Sequence, residues 1–130
     1  RALFPFPVYA IDYVSDEKQM ARLYNAVDAY VTPSLEDNLP NTIVEALSCG
    51  VPCVGFNVGG IPEMIDHRKN GYLAEARNAE DLAEGIRFIL ETASREELSA
   101  HAVHSALANY GETNVASKYI AVYKRASEKR

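Results

Sequence analysis

The chain has 130 residues, enough for one domain with a real core and few for a complete two-domain enzyme. Apolar residues make up 48% and charged residues 24%, the balance of an ordinary globular fold. A net charge of −5 speaks against a nucleic-acid partner, because phosphate backbones recruit a basic surface, and no apolar run approaches the roughly 18 residues of a membrane span.

The first residues, Arg-Ala-Leu-Phe-Pro-Phe-Pro, carry neither an initiator Met nor signal-peptide anatomy, so the chain is expected to be a piece of a longer protein. Residues 8–11 are a candidate strand. Over 16–26 the apolar residues Met20, Leu23, Tyr24 and Val27 fall on one face of a helix, with Ser15 as its expected N-cap and Asp16 and Glu17 at the positive end of its dipole. Residues 29–32 read as the next strand, stopped by Pro33. A helix over 41–49 follows, with Pro40 near its first position and Gly50 after its end. Pro52 then opens a buried strand at 53–56, Gly59-Gly60 turns into a short helix at 62–66, and Asn70-Gly71 leads to a last strand at 72–74.

The remainder reads as helices. Asn78 and Asp81 have capping-box spacing ahead of Leu82, Ile86, Ile89 and Leu90, and Ser94 and Glu97 repeat it ahead of Leu98, Val103, Ala106 and Leu107. A final helix from about 113 to 128 carries Val115, Tyr119, Ile120, Val122 and Tyr123. Short apolar strands alternating with helices predict an α/β domain, Rossmann-like and three-layered, with a parallel sheet covered on both faces. Ligands of such sheets sit at the carboxyl ends of the strands, and the loops 33–40 and 57–61 lie there.

Asp37 and Glu45 are separated by seven residues, the first in a loop and the second a turn or two inside the following helix. A helix N-terminus offers unpaired N–H groups and positive potential to a diphosphate. Gly59 and Gly60 add a turn without side chains, and a carboxylate such as Glu45 suits the vicinal hydroxyls of a ribose. Glu45 is flanked by Ile43, Val44, Ala46 and Leu47, and on its own it reads equally as a solvated helical acid. No Lys or Arg lies between Arg22 and Arg68, so cations for a diphosphate must come from elsewhere. No D-x-D pair is present, the adjacent Glu36 and Asp37 make a poor metal clamp, and His101 and His104 lack further ligands; no metal site is expected. Cys49 and Cys53 are expected as buried free thiols, and Tyr24, Tyr30, Tyr72, Tyr119 and Tyr123 as packing residues.

The run P-S-L-E-D-N-L-P-N-T-I-V-E-A-L-S-C-G-V-P-C-V, then N-V-G-G-I-P-E, resembles the C-terminal domain of retaining glycosyltransferases with the GT-B fold, glycosyltransferase family 4 in particular. L-Y-N-A-V-D-A-Y-V-T-P-S, N-G-Y-L-A and A-E-D-L-A-E-G-I fit the same pattern, and the likeness runs from about residue 8 to the end. It implies the donor-binding half of an enzyme that moves a sugar from a nucleoside-diphosphate sugar to an acceptor, with no cofactor or metal. Glu45 would hold the donor ribose and Asp37 would lie beside the donor sugar. Main-chain groups of Asn38, Leu39, Pro40, Asn41 and Thr42 would approach the sugar and diphosphate, and the segment around Val14 would meet the nucleobase. Glu36, Gly59, Gly60 and Glu63 are further candidates near the donor. Two positions depart from the family pattern: Asp37 replaces its usual Glu and Asn38 its usual Gly.

The resemblance also implies a carbohydrate or lipid-linked acceptor held by an N-terminal domain, which the last helix would brace, and work in the cytoplasm or at the inner membrane face. A chain lacking that domain is expected to be inactive alone. The alternatives are a non-catalytic Rossmann-like binding module, which the Asp37 departure and the absence of local cations favour, and a GT-B-like sugar-nucleotide epimerase, which would share the donor site.

Overall fold

The computed structural model describes residues 4–36, 40–110 and 114–128, the last range by backbone alone at 114–117 and 127. Three parallel strands, β1 (Tyr30–Thr32), β2 (Cys53–Phe56) and β3 (Gly71–Ala74), form one sheet in the order β1-β2-β3. Tyr30 pairs with Cys53, and Cys53 with Gly71, so the strands run level and their carboxyl ends share one edge. Helices α1 (Glu17–Asn25), α2 (Asn41–Ser48), α3 (Ile61–Met64), α4 (Ala79–Arg87), α5 (Arg95–Tyr110) and α6 (Asn114–Glu128) surround the sheet.

The alternation of side chains along each strand divides the core in two. Tyr30, Cys53 and Leu73 face a layer holding Ile43, Leu47, Ile61, Ile65, Ala102 and Tyr119. Val31, Val54, Phe56, Tyr72 and Ala74 face the other layer, with Leu82, Ile86 and Ile89. The three-layer α/β architecture expected from the sequence is therefore present. Both thiols are free and buried; burial pushes the Cys49 thiol up to about 12 and that of Cys53 higher still.

Several local expectations need correction. Residues 8–11 join no strand: they pair with nothing in the sheet, and Val8, Tyr9 and Ile11 are 59%, 84% and 60% exposed. Apolar character alone does not make a strand; it needs a ladder partner and a covered face, and this segment has neither here. The N-cap of α1 is Asp16, not Ser15: its Oδ1 accepts from the Lys18 N–H at 2.9 Å. Leu90, expected on the buried face after Ile86, is 55% exposed. Its segment, Phe88–Thr92, is a π-helical turn closed by the Ala93 N–H donating to the Phe88 carbonyl at 2.9 Å. A wider turn rotates later side chains off the α-helical stripe, leaving Ile89 inside and Leu90 outside.

Asn78 caps α4 by accepting from the Asp81 N–H at 3.0 Å. Asp81 does not close the box. Its carboxylate instead accepts from the Glu75 N–H and the Tyr72 hydroxyl, each at 2.7 Å, and those bonds hold its carboxyl below the usual range. In α6, Tyr119 and Ile120 are buried against α1, α2 and α5 of the same chain.

Gly71 is the tightest point of the sheet: a Cβ there would overlap the Cys53 carbonyl oxygen, part of the β2 backbone that cannot retreat. Gly71→Ala should therefore lower the unfolding free energy by about 3 kcal/mol, the upper range for overpacking, as measured by urea denaturation followed by circular dichroism.

Candidate functional site

The strand ends bring two loops together at the carboxyl edge. After β1, Thr32 is buried and its hydroxyl shares a 3.1 Å hydrogen bond with that of Ser34. Leu35 and Glu36 are exposed, while the expected site residues Asp37, Asn38 and Leu39 lie outside the described residues. The chain re-enters at Pro40, whose φ of −67° and ψ of 119° make it the N-cap of α2. Having no side-chain donor or acceptor, Pro40 leaves the first N–H groups of α2 without a side-chain cap. Asn41 and Thr42 stand exposed on that first turn.

After β2, the Asn57 N–H donates to the Ala74 carbonyl at 2.7 Å, extending the ladder past the strand end. Gly59 has φ of +53°, a left-handed conformation that suits glycine. Gly60 is the N-cap of α3, and Glu63 is exposed in that helix's first turn. The charge of Glu63 adds to burial in raising the Tyr110 hydroxyl on α5, so Glu63 looks toward α5.

Glu45 occupies the second turn of α2, between Val44 and Ala46, both buried. Its side chain is half-buried and does not stand as a solvated acid. The Tyr24 hydroxyl, from α1, donates to Glu45 Oε2 at 2.9 Å, and Tyr119, from α6, packs edge-on against Tyr24 and favours the charged carboxylate. Burial raises the Glu45 carboxyl above its ordinary 4.5, the two tyrosines pull it back down, and the charge of Glu17 adds a smaller upward push. Burial and the neighbouring carboxylate together push Tyr119 up to about 12 and Tyr24 well beyond, so both phenols stay protonated as donors at neutral pH. Val14, half-buried, lies just ahead of α1. Glu17, three positions further on, pushes the Glu45 carboxyl upward by its charge.

Reading the tyrosines as packing captures half of their role. Tyr24 does pack edge-on against Tyr30 and Tyr119, with centroids 6.1 and 6.2 Å away, but its hydroxyl is also what the Glu45 carboxylate meets. The available signal was Glu45 itself: an acid inside an apolar helix run needs buried donors, and tyrosines are the donors those apolar stripes carry. The start of α1 and the side of α6 bound a cleft of about 450 Å³ lined by Ser15, Asp16, Lys18, Lys118, Val122 and Arg125. It gathers three cations, Lys18, Lys118 and Arg125, from outside the Arg22–Arg68 gap. Among the described residues no group of three His, Cys, Asp or Glu side chains is placed to hold a metal ion.

A parallel α/β layer with a helix N-terminus, a glycine turn and a half-buried acid at its carboxyl edge has the features that suit an anionic ligand. The sequence model of the glycosyl transferases group 1 family matches residues 8–105, and the chain belongs to that family. It is 32% identical over 117 residues to the N,N'-diacetylbacillosaminyl-diphospho-undecaprenol alpha-1,3-N-acetylgalactosaminyltransferase of Campylobacter jejuni, covering 89% of this chain and 31% of that protein. Among solved structures, a glycosyltransferase from Rickettsia africae matches with a TM-score of 0.64 and 27% identity, covering 83% of this chain and 30% of the other. The Anabaena HepE protein in complex with UDP matches with a TM-score of 0.65 at 24% identity, covering 83% and 28%, a likeness of fold. The chain spans less than a third of the length of the curated relatives it matches.

The Glu45 environment has a consequence for stability. A carboxyl whose folded value lies above 4.5 binds more protons folded than unfolded, so its contribution favours folding at low pH and declines as pH rises through that folded value. Glu45→Gln removes the titration. The unfolding free energy of the variant, measured in urea at several pH values between 4 and 7, should then change more favourably with rising pH than that of the wild type.

Proposed function

We propose that this chain is the donor-binding domain of a retaining glycosyltransferase that moves a sugar from a nucleoside-diphosphate sugar to an acceptor. The observation that carries the reading is the position of Glu45: a half-buried carboxylate one turn behind an uncapped helix N-terminus, at the edge where such sheets take their ligands. In this reading the first N–H groups of α2, with Asn41 and Thr42, receive the diphosphate. Gly59 and Gly60 let it approach the backbone, and Glu45 accepts the ribose hydroxyls. Asp37 orients a hydroxyl of the donor sugar or steadies positive charge growing at the anomeric carbon, with Asn38, Leu39 and Pro40 shaping the loop around that sugar. The base rests near Val14. Glu36 and Glu63 stand at the margins of the site.

The chemistry assigned to the chain is electrostatic and positional. As the glycosidic bond to the diphosphate lengthens, the anomeric carbon becomes oxocarbenium-like and the leaving phosphate gains charge, which a fixed row of N–H donors stabilises without reorganising. The proposed transfer is metal-independent, in keeping with a sequence that has no D-x-D pair. The acceptor is proposed to be a carbohydrate or a lipid-linked saccharide bound outside this domain. The Campylobacter relative supports that class, since its name describes transfer to a diphospho-undecaprenol-linked sugar. A cytoplasmic location and association with a membrane face through other parts of the protein belong to the same proposal; no helix among the described residues is long and apolar enough to cross a membrane.

The test is calorimetric titration of the intact protein with UDP, GDP and ADP and their sugar conjugates. One nucleotide should bind saturably, and Glu45→Ala should weaken it at least about tenfold, the scale of a lost hydrogen bond to a charged group. Asp37→Ala should slow transfer while leaving binding of the free nucleoside diphosphate intact. Absence of binding by all three nucleotides at millimolar concentration would overturn the reading in favour of a non-catalytic module.

A further inference from the structure

We propose that Tyr24 and Tyr119 are positioning residues of the donor site, which together hold the Glu45 carboxylate ready for the two hydroxyls of a ribose. The inference rests on the reading of Glu45 given above and concerns how this chain makes that acid competent.

A carboxylate presents about four acceptor sites on its two oxygens. The Tyr24 hydroxyl at 2.9 Å takes one on Oε2, and Tyr119, packed edge-on against Tyr24, favours the charged form of the acid. The sites left are enough for two vicinal hydroxyls. The rings supply rigidity: Tyr24 is wedged edge-on between Tyr30 and Tyr119, and Tyr24 and Tyr119 are 5% and 7% exposed. Neither ring can swing away without breaking those ring contacts and the packing of α6 against α1 and α2.

The second contribution is the charge state. Protonated Glu45 would turn one oxygen into a donor and spoil the match to two hydroxyl donors. Burial pushes it toward that state and the two phenols oppose it. The other ionisable groups around it do not help: Glu17 on α1 repels it, and Cys49 on its own helix stays neutral at physiological pH with its thiol pushed up to about 12. Lys118 on α6 binds Glu17 at 2.7 Å, which spends its charge one step away from Glu45. Tyr24 is thus the direct donor to the acid, and Tyr119 from α6 braces its ring.

The experiment uses the intact protein and whichever of UDP, GDP or ADP binds it, with the 2′,3′-dideoxy form of that nucleotide as the partner probe. Affinities are measured by calorimetry from pH 5 to 9 for the wild type, Tyr24→Phe, Tyr119→Phe and Glu45→Gln. Phenylalanine keeps the ring contacts and removes the hydroxyl. Each Tyr→Phe change should weaken the ribose nucleotide about tenfold, leave the dideoxy nucleotide unaffected, and move the acid-side loss of binding to higher pH, because a carboxyl that loses a group favouring its charged form titrates higher. Should Tyr24→Phe fail to fold, Tyr119→Phe in the last helix carries the same comparison. Folded variants that bind like the wild type with an unmoved acid limb, while Glu45→Gln loses binding, would overturn the proposal and leave Glu45 as the ribose acid. If Glu45→Gln and the dideoxy nucleotide both bind as tightly as their parents, the ribose role of Glu45 falls, and the positioning role with it.

Discussion

The hub of this domain is α2, a helix with five buried positions in eight residues: Ile43, Val44, Ala46, Leu47 and Ser48. It lies against β2 on one side and against α5 and α6 on others. Ser48 satisfies its own hydroxyl by donating to the Val44 carbonyl at 2.7 Å, so it sits inside without cost to its neighbours. Gly50, with φ of +75°, ends the helix in the left-handed turn that releases the chain toward β2. A helix so nearly encircled has little freedom to shift, which fixes its N-terminus at the carboxyl edge of the sheet. The same encirclement imposes the constraint on Glu45, the one acid on that helix: partly desolvated, it must find donors or give up its charge.

That constraint orders the surroundings. The donor arrives from α1 and its brace from α6, elements far apart in sequence, and their aromatic rings fill the space that a carboxylate in water would give to solvent. Hydroxyl and ring act together, since the ring packing sets where the hydroxyl stands and the carboxylate sets where the ring is worth holding. The domain therefore builds its core and its polar centre from the same residues, and a change at Tyr119 in α6 reaches the α2 acid through the ring of Tyr24.

The sequence conveyed the architecture well because its signals were local. Cys53–Phe56 is an apolar run between Pro52 and Asn57, and no helical period fits it; Asn78 ahead of Asp81 announced a helix start that the 3.0 Å bond realises. It misled where the outcome depends on partners. Residues 8–11 look like a strand in any window, yet pairing is a property of the neighbour, and none lies beside them. Leu90 lost its place to a π turn that no residue pattern announces. At the site, the position of Glu45 and the glycine turn at Gly59 were legible from spacing, whereas Tyr24 and Tyr119 lie 21 residues before and 74 after Glu45. Only the fold brings them to it.

The charge gap between Arg22 and Arg68 finds its physical sense in α6. A cation planted on α2 beside Glu45 would pair with the acid directly and occupy the acceptor sites that a hydroxylated ligand needs. The chain instead keeps Lys118 one residue before Tyr119 and sets it on Glu17 at 2.7 Å, with both side chains about half exposed. An exposed pair of that kind adds little to stability. Adjacent residues of one helix thus face two acids, Lys118 pairing with Glu17 and Tyr119 bracing the tyrosine that donates to Glu45.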